Sequence, residues 1–471
     1  MKIHFIGIGG IGVSALARYY LAKGHQVSGS DLVSSEITES LKKKGAKIHI
    51  GKNIFQKDAD LTIYSPAVSV HSRRVHTLSY PEALGELTKR YFTIAVAGTH
   101  GKSTTTAMIG LILIKAGLDP TVIIGTKLKE FGNSNFRIGG TKNLKLKTKN
   151  YLVIEADEHM ASFLNYWPKI IVLTNIEADH LDYYKNLNNI LKTFKKYAGH
   201  LPKDGILVAN GDDKNIRKII AGSPTSPNRI VGSRTPYYFS LKQPQAKILK
   251  KSLKIPGEHN VYNALAALAC ARTLKIPDKI SFRALSEFQG AWRRFEIKDL
   301  KIARLPARQG NCKLKIVSDY GHHPTEIKAT LKAAREKWPK KKIWCVFQPH
   351  QYQRTYYLLK DFVKVLRQAQ DKFSINKIII TDIYDVAGRE ERTIKNKIDA
   401  KKLVKLINKK SVIYVAKEKI LDYLKQNFWS GPPASAMPKA LRAGEVLIIM
   451  GAGDIYNLTL TLTRGRGLSI R

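Results

Sequence analysis

A chain of 471 residues, 44% of them hydrophobic, is long enough for about three domains and apolar enough to fill their cores, which excludes global disorder. The net charge is +43, but the basic residues are scattered, from Lys42–Lys44 through Lys145–Lys149 and Lys340–Lys342 to Lys401–Lys410. That spread suits steering of small anionic substrates and argues against a specific nucleic-acid surface. Three isolated cysteines, Cys270, Cys312 and Cys345, exclude a disulfide frame or a zinc site and read as small core hydrophobes. With no leader pattern and no apolar run of membrane length, a cytoplasmic protein without membrane insertion is expected.

The first block opens with an apolar strand, Ile3–Ile6, a glycine turn, Gly7–Gly12, and a helix through Leu21. A second strand, Gln26–Ser30, ends at Asp31, and strands at Ala46–Ile50 and Leu61–Tyr64 complete a small α/β unit up to Arg90. Gly7-x-Gly9-x-x-Gly12 followed by Asp31 fits the dinucleotide fingerprint. Its glycines allow close backbone approach, and the helix N-terminus holds a pyrophosphate. A UDP-type ligand, NAD(P) and plain packing all satisfy such a turn. A second nucleotide turn further along favours the UDP-type ligand.

That second turn starts the next block, within Thr93–Met108. Ile94–Ala97 reads as a buried strand, and Gly98-x-x-Gly101-Lys102-Ser103-Thr104 leads into a helix. Val96 stands where the full P-loop pattern has another Gly, so the form is a shortened one. Such a turn exposes backbone N–H groups at a helix start, where the dipole also favours a polyphosphate. Lys102 can neutralise β/γ oxygens, and the Ser103 hydroxyl can ligate Mg²⁺. An ordinary glycine-rich strand–helix turn is the plainer alternative.

A strand at Tyr151–Ala156 brings Glu155, Asp157 and Glu158 to its C-terminal end, where a carboxylate is placed to hold Mg²⁺. The strand Ile170–Asn175 leads to Glu177, Asp179 and His180, suited to a second metal or a phosphoryl contact. The plainer reading makes His180 a hydrogen-bonded loop residue and Glu158 a solvated one. A Pro/Ser-rich loop at Gly222–Pro227 reads as exposed. The helix His259–Leu274 carries Asn260 and Asn263 at its head, able to read an adenine edge or to cap the helix.

The third block begins near Trp292–Glu296. Its Arg293 and Arg294 can clamp a transferring phosphoryl group or form surface ion pairs. Strands follow at Lys315–Asp319, Ile343–Gln348, Lys377–Asp382, Val412–Val415 and Val446–Met450, with a Gly/Pro/Ala linker at Gly431–Pro438 before the last. Ser318–Glu326 reads as a loop-to-helix turn with Pro324 at the first helical position, its His322 and His323 bonding substrate or ribose. His350, Tyr352 and Arg354 suit a carboxylate ligand, and Gly451–Tyr456 reads as a structural turn. Alternating strands and helices throughout give an α/β fold with mainly parallel sheets.

In chain order, HFIGIGGIG, GTHGKSTTTA, EADE, TNIEADH, GEHNVYNALAA, RRFE, DYGHHPTE, FQPH and MGAGDI form a set that resembles the Mur ligase family from Ile3 to Tyr456. The resemblance implies a Rossmann-like UDP-sugar domain at 1–92 and a central P-loop ATPase domain at 93–295. A Rossmann-like domain at 296–471 would bind the amino acid and close on ATP. It implies ATP and Mg²⁺ as cofactors, and UDP-N-acetylmuramate and L-alanine as substrates. The alanine would be ligated to the lactyl carboxylate through an acyl phosphate, in peptidoglycan precursor synthesis, by a monomer or homodimer.

By motif, Gly98, Thr99, His100, Gly101, Lys102, Ser103, Thr104, Asn263, Arg294 and Asp319 would contact ATP. Ser103, Glu155 and His180 would ligate metal. Gly9, Gly10, Ile11, Gly12, Asp31, Ser65, His323, His350 and Arg354 would face the substrates. The chemistry would fall to Lys102, Glu155, His180, Arg294 and His350.

The chain departs from the family pattern at Ser318, where an Asp is usual, at Gln351 in place of Arg, at His159 and Met160, and over Ser69–His76. Related ligases carbamoylate a lysine; Leu191 stands at that position with Lys192 beside it, so none is assigned. Rival readings are a recycling ligase that joins a peptide to the same UDP sugar, an NAD-dependent oxidoreductase, and a nucleic-acid-dependent ATPase.

Overall fold

Apolar runs punctuated by glycine turns build three sheets, taken here in chain order from the computed structural model, which describes residues 1–68, 76–140, 150–221, 236–302, 312–386, 390–429 and 445–463. The loop expected at Gly222–Pro227, the linker at Gly431–Pro438, Lys145–Lys149 and most of Ser69–His76 lie outside the described residues.

The first sheet contains β1 (Lys2–Ile6), β2 (Gln26–Asp31), β3 (Lys47–Ile50), β4 (Leu61–Tyr64) and β5 (Thr77–Ser79), in the order β3-β2-β1-β4-β5. All its pairings are parallel, the doubly wound arrangement expected of the opening block. The second contains β6 (Phe92–Ala97), β7 (Thr121–Leu128), β8 (Ser134–Arg137), β9 (Tyr151–Ala156), β10 (Ile170–Leu173), β11 (Ile206–Asn210) and β12 (Tyr237–Phe239). Its order is β12-β11-β10-β6-β9-β7-β8, with β8 alone antiparallel to its neighbour.

The third sheet holds β13 (Glu296–Ile302), β14 (Cys312–Asp319), β15 (Ile343–Phe347), β16 (Lys377–Ile380), β17 (Val412–Tyr414) and β18 (Val446–Met450), ordered β13-β14-β18-β15-β16-β17. Its strands alternate between two cores. Val317, Cys345, Phe347, Ile378, Ile380, Ile448 and Met450 pack on one side, and Ile316, Val346, Ile379, Leu447 and Ile449 on the other. Burial on both faces is why these strands read as unbroken apolar runs.

The chain divides into two compact units. One comprises Met1–Ala178, Asn186–Lys254 and Asn260–Trp292; the other comprises Asp179–Lys185, Ile255–His259 and Arg293–Arg471. Cys270 and Cys345 are buried free thiols, and burial pushes the Cys270 thiol up to about 12, as suits inert core residues. Among the described residues no helix is long and apolar enough to cross a membrane.

Candidate active site

β6 is flanked by β10 and β9, the point where strand order reverses and α/β proteins gather their ligands. Its last residues are wholly buried, and the chain turns at once into the helix Lys102–Lys115. Two backbone conformations make the turn. Gly98 has φ +140 and Gly101 has φ +82, and a Cβ would lie 2.1 Å from Thr174 Oγ1 at the first and 2.2 Å from Asn263 Oδ1 at the second. Only glycine fits either position.

The end of β10 holds the loop from beneath. The His100 amide donates to Asn175 Oδ1 at 2.8 Å, the Thr99 amide to the Asn175 carbonyl at 3.0 Å, and Thr174 Oγ1 to the His100 carbonyl at 2.6 Å. Ser103 and Thr104, in the first helical turn, are 7% and 6% exposed. The unsatisfied amides of that turn form a cradle for phosphate oxygens.

Lys102 folds across this loop. Its ammonium donates to the Gly98 carbonyl at 2.8 Å and to Glu158 Oε2 at 2.7 Å. Burial would lower the ammonium, but Glu158 and Asp157 hold it above lysine's usual range. Burial lifts the Glu158 carboxyl, with Lys102 opposing the rise. Glu158 is 3% exposed, so it is no solvated residue; it is the buried counter-ion of the phosphate-loop lysine.

Glu155 stands in register with Val96 on the neighbouring strand, and its Oε1 accepts from the Gly125 amide at 2.6 Å. Ser103 and Glu155 supply hard oxygen donors beside the phosphate cradle, the donor chemistry that Mg²⁺ prefers. Asn263 sits below the loop. Its Oδ1 accepts from Thr105 Oγ1 at 3.3 Å and its amide nitrogen donates to Asn260 Oδ1 at 3.3 Å, which ties the helix Glu258–Thr273 to Gly101.

The first glycine turn has its own brace. The Gly9 amide donates to Asp31 Oδ2 at 2.7 Å, and Asp31 Oδ1 accepts from Val33 at 3.3 Å. Both carboxylate oxygens therefore have partners within the turn. Gly10 caps the helix Ile11–Ala22. Gly7 (φ +74) packs against Ser65, where a Cβ would lie 2.9 Å from the Ser65 Cβ, and the Tyr80 ring occupies the space a Cβ on Gly12 would need. Burial and the carboxylates of Glu155 and Asp157 push the Tyr80 phenol up. Asn135 on β8 donates to the Ile11 carbonyl and, at 3.0 Å, to Ser14 Oγ, so the first sheet's turn is tied to the second sheet.

In the other unit the adjacent arginines separate. Arg293, 7% exposed, donates to the Gly451 carbonyl and, at 3.2 Å, to that of Gly453, and lies between the rings of Tyr320 and Tyr456. It is a structural residue and gives the Gly451–Tyr456 turn its purpose. Arg294 lies over Tyr320 and 3.6 Å from Glu326 Oε1. Asp319 accepts the Phe295 and Gly321 amides, both at 2.8 Å, and burial raises its carboxyl against Arg294 and these two bonds. His323 caps the helix Pro324–Lys337, its Nδ1 accepting from Thr325 at 3.2 Å; Pro324 is the first helical residue, as expected.

His180 (φ +52) follows Asp179, whose Oδ1 accepts the His180 amide at 2.8 Å. Asp179 also pairs with Arg354 at 2.9 Å, and Arg354 reaches His350 at 3.2 Å. Sequence reasoning gave Glu158 and Asp179 only a general metal or phosphoryl role, and Tyr80 and Asn135 none. The first two were in view as strand-end carboxylates, but their burial and their cation partners come from different segments of the chain.

Comparison with known proteins matches this arrangement throughout. The family descriptions "Mur ligase family, catalytic domain", "Mur ligase middle domain" and "Mur ligase, glutamate ligase domain" match residues 2–92, 96–271 and 303–453. The UDP-N-acetylmuramate–L-alanine ligase of Acetivibrio thermocellus is 40% identical, over 97% of this chain and 94% of its own. That of Clostridium botulinum is 36% identical, over 97% and 96%. The crystal structure of UDP-N-acetylmuramate-alanine ligase from Thermotoga maritima is 26% identical over 100% of both chains, with a TM-score of 0.72. Two braced glycine turns, a lysine-bearing phosphate loop and relatives alike over the full length agree: the chain belongs to the Mur ligase family.

Proposed function

We propose that this protein joins L-alanine to the lactyl carboxylate of UDP-N-acetylmuramate at the expense of ATP, in peptidoglycan precursor synthesis. The observation that carries the reading is the pair of glycine turns, each at a reversal of strand order in its own sheet, one of them bearing Lys102. Full-length relatives named for that activity, 36% and 40% identical, support the choice of substrates.

A carboxylate resists attack by an amine until its charge is removed. Transfer of the terminal phosphoryl group of ATP to it gives an acyl phosphate, whose phosphate can leave once the amine has attacked. The Gly98–Thr104 loop binds the phosphates through backbone amides, and Lys102 exchanges Glu158 for a phosphate oxygen. Arg294 adds positive charge at the transferring group. This is positioning and electrostatic work. Ser103 and Glu155, with His180, are assigned to Mg²⁺, which supplies charge neutralisation at the phosphates. Asn263 and Asp319 are assigned to adenosine, Asp31 and Ser65 with Gly9–Gly12 to the UDP sugar, and His323, His350 and Arg354 to the substrate carboxylates.

Domain boundaries at 92/93 and 295/296 belong to the same reading; β6 starts one residue before the first, at Phe92, and β13 starts at the second, at Glu296. So do a cytoplasmic location and a monomer or homodimer.

The test is phosphate release from ATP in a matrix of UDP-N-acetylmuramate with alanine, glycine, serine or a tripeptide. Alanine-dependent release supports the reading. Release that needs the peptide points to recycling, and a requirement for nicotinamide or nucleic acid refutes it.

A further inference from the structure

Asp179 is 6% exposed and lies in the same compact unit as Arg354 and His350. Arg354 grips it with two nitrogens: Nε donates to Oδ1 at 2.9 Å and Nη2 to Oδ2 at 3.4 Å. The remaining nitrogen, Nη1, donates to His350 Nδ1 at 3.2 Å and to the His350 carbonyl at 3.4 Å. A guanidinium has no acceptor and does not lose its proton in proteins. His350 Nδ1 must therefore present its lone pair, which puts the ring hydrogen of a neutral imidazole on Nε2.

The ring itself is held. It stacks on Tyr384 with centroids 5.4 Å apart and planes 12° apart. Tyr384 is fixed in turn by donating its amide to the Pro349 carbonyl at 2.8 Å and accepting from the Gln351 amide at 3.0 Å. Burial, with His322 and Arg354 adding to it, keeps His350 uncharged, its imidazole held down to about 2. Asp179 and Arg354 also border, with Gln351 and Tyr357, a small recess open to solvent.

We propose that Asp179 is a positioning residue: acting through Arg354, it fixes His350 as the Nε2–H tautomer, a donor to the carboxylate of the incoming α-amino acid and not a base for its amine. The proton that the ammonium loses has no place on His350, since Nε2 already carries hydrogen and Nδ1 is occupied by the Arg354 N–H. The identity of the carboxylate ligand rests on the alanine-ligating reading above; the tautomer does not.

The experiment is nitrogen-15 spectroscopy of the histidine-labelled full chain without ligands, with the His350 signals assigned by their loss in His350→Gln. An unprotonated Nδ1 and a protonated Nε2 are expected. In Asp179→Asn, which keeps size but removes charge and one acceptor, the two tautomers mix. KM for L-alanine in that variant rises about tenfold while KM for ATP stays within about twofold, and Asp179→Glu recovers part of the loss. An Nδ1–H imidazole in the unaltered chain overturns the proposal and needs no variant to fold. Unchanged KM for alanine in Asp179→Asn also overturns it. Expected spectra with no alanine-dependent turnover leave the tautomer standing and sink the assigned reaction instead.

Discussion

The Lys102 ammonium lies 2.7 Å from Glu158 Oε2, so the cation proposed to meet phosphate has a buried anionic partner within the protein itself. Removing one member of a buried pair strands the other. Glu158→Gln should therefore lower the stability of the nucleotide-free protein by about 2–4 kcal/mol. Phosphate oxygens can replace the lost charge, so an unreactive ATP analogue should stabilise the variant more than the parent. Denaturant titrations with and without the analogue check this; equal gains in both proteins would show that Glu158 is not the counter-ion.

Gly101 faces two separate obstacles to any side chain: its φ is +82, and Asn263 Oδ1 lies 2.2 Å from where a Cβ would stand. Gly101→Ala incurs both, the left-handed backbone alone costing about 1–2 kcal/mol. Asn263→Ala relieves only the clash. The double variant should thus be more stable than additivity predicts and still bind ATP poorly. Strict additivity in a double-mutant cycle would refute the contact.

Neighbouring arginines should give opposite signatures. Arg293→Lys loses the bonds to the Gly451 and Gly453 carbonyls and should destabilise the third-sheet unit, by about 2 kcal/mol or more, with modest loss of turnover in the fraction that folds. Arg294→Lys should leave the melting point nearly unchanged and reduce kcat by about 10²-fold. Calorimetry beside steady-state rates separates the two, and the reverse pattern would exchange their assignments.

His322 and His350 are held down to about 3 and about 2 from an ordinary 6.5, burial being the main cause for each. Above pH 6.5 neither folded nor unfolded imidazole is charged, and their contribution is intact. As pH falls below 6.5 the unfolded rings take up protons that the folded rings refuse, so stability is lost, at up to roughly 1.4 kcal/mol per pH unit for each ring. His322→Gln should flatten that slope by about one proton between pH 6 and 4. Urea unfolding across this range measures it, and an unchanged slope would contradict a neutral His322.

Much of this was legible in the sequence because it depends on local pattern. The strands Leu61–Tyr64, Tyr151–Ala156 and Val446–Met450 fall where their apolar runs place them, and both glycine turns carry their chemistry in consecutive residues. Less legible were elements that owe their form to a neighbour. β7 and β8 pair antiparallel around a Gly-Asn turn, and β13 adds an antiparallel edge that draws β14 back to Cys312; their mixed polarity reads as loop. Side-chain allegiance was the least visible. Nothing local tells Glu158 from Asp157, or Arg293 from Arg294, until the fold brings Lys102 to the first and the Gly451 carbonyl to the third.

β18 follows the other five strands of its sheet in sequence, yet it lies between β14 and β15. Without Val446–Met450, β14 and β15 would each lack the strand that both pair with. A chain lacking that strand would leave the β13–β14 pair and the β15–β17 strands unjoined within the sheet. Among the described residues, the last strand of the sheet in sequence is the one that joins the two parts preceding it.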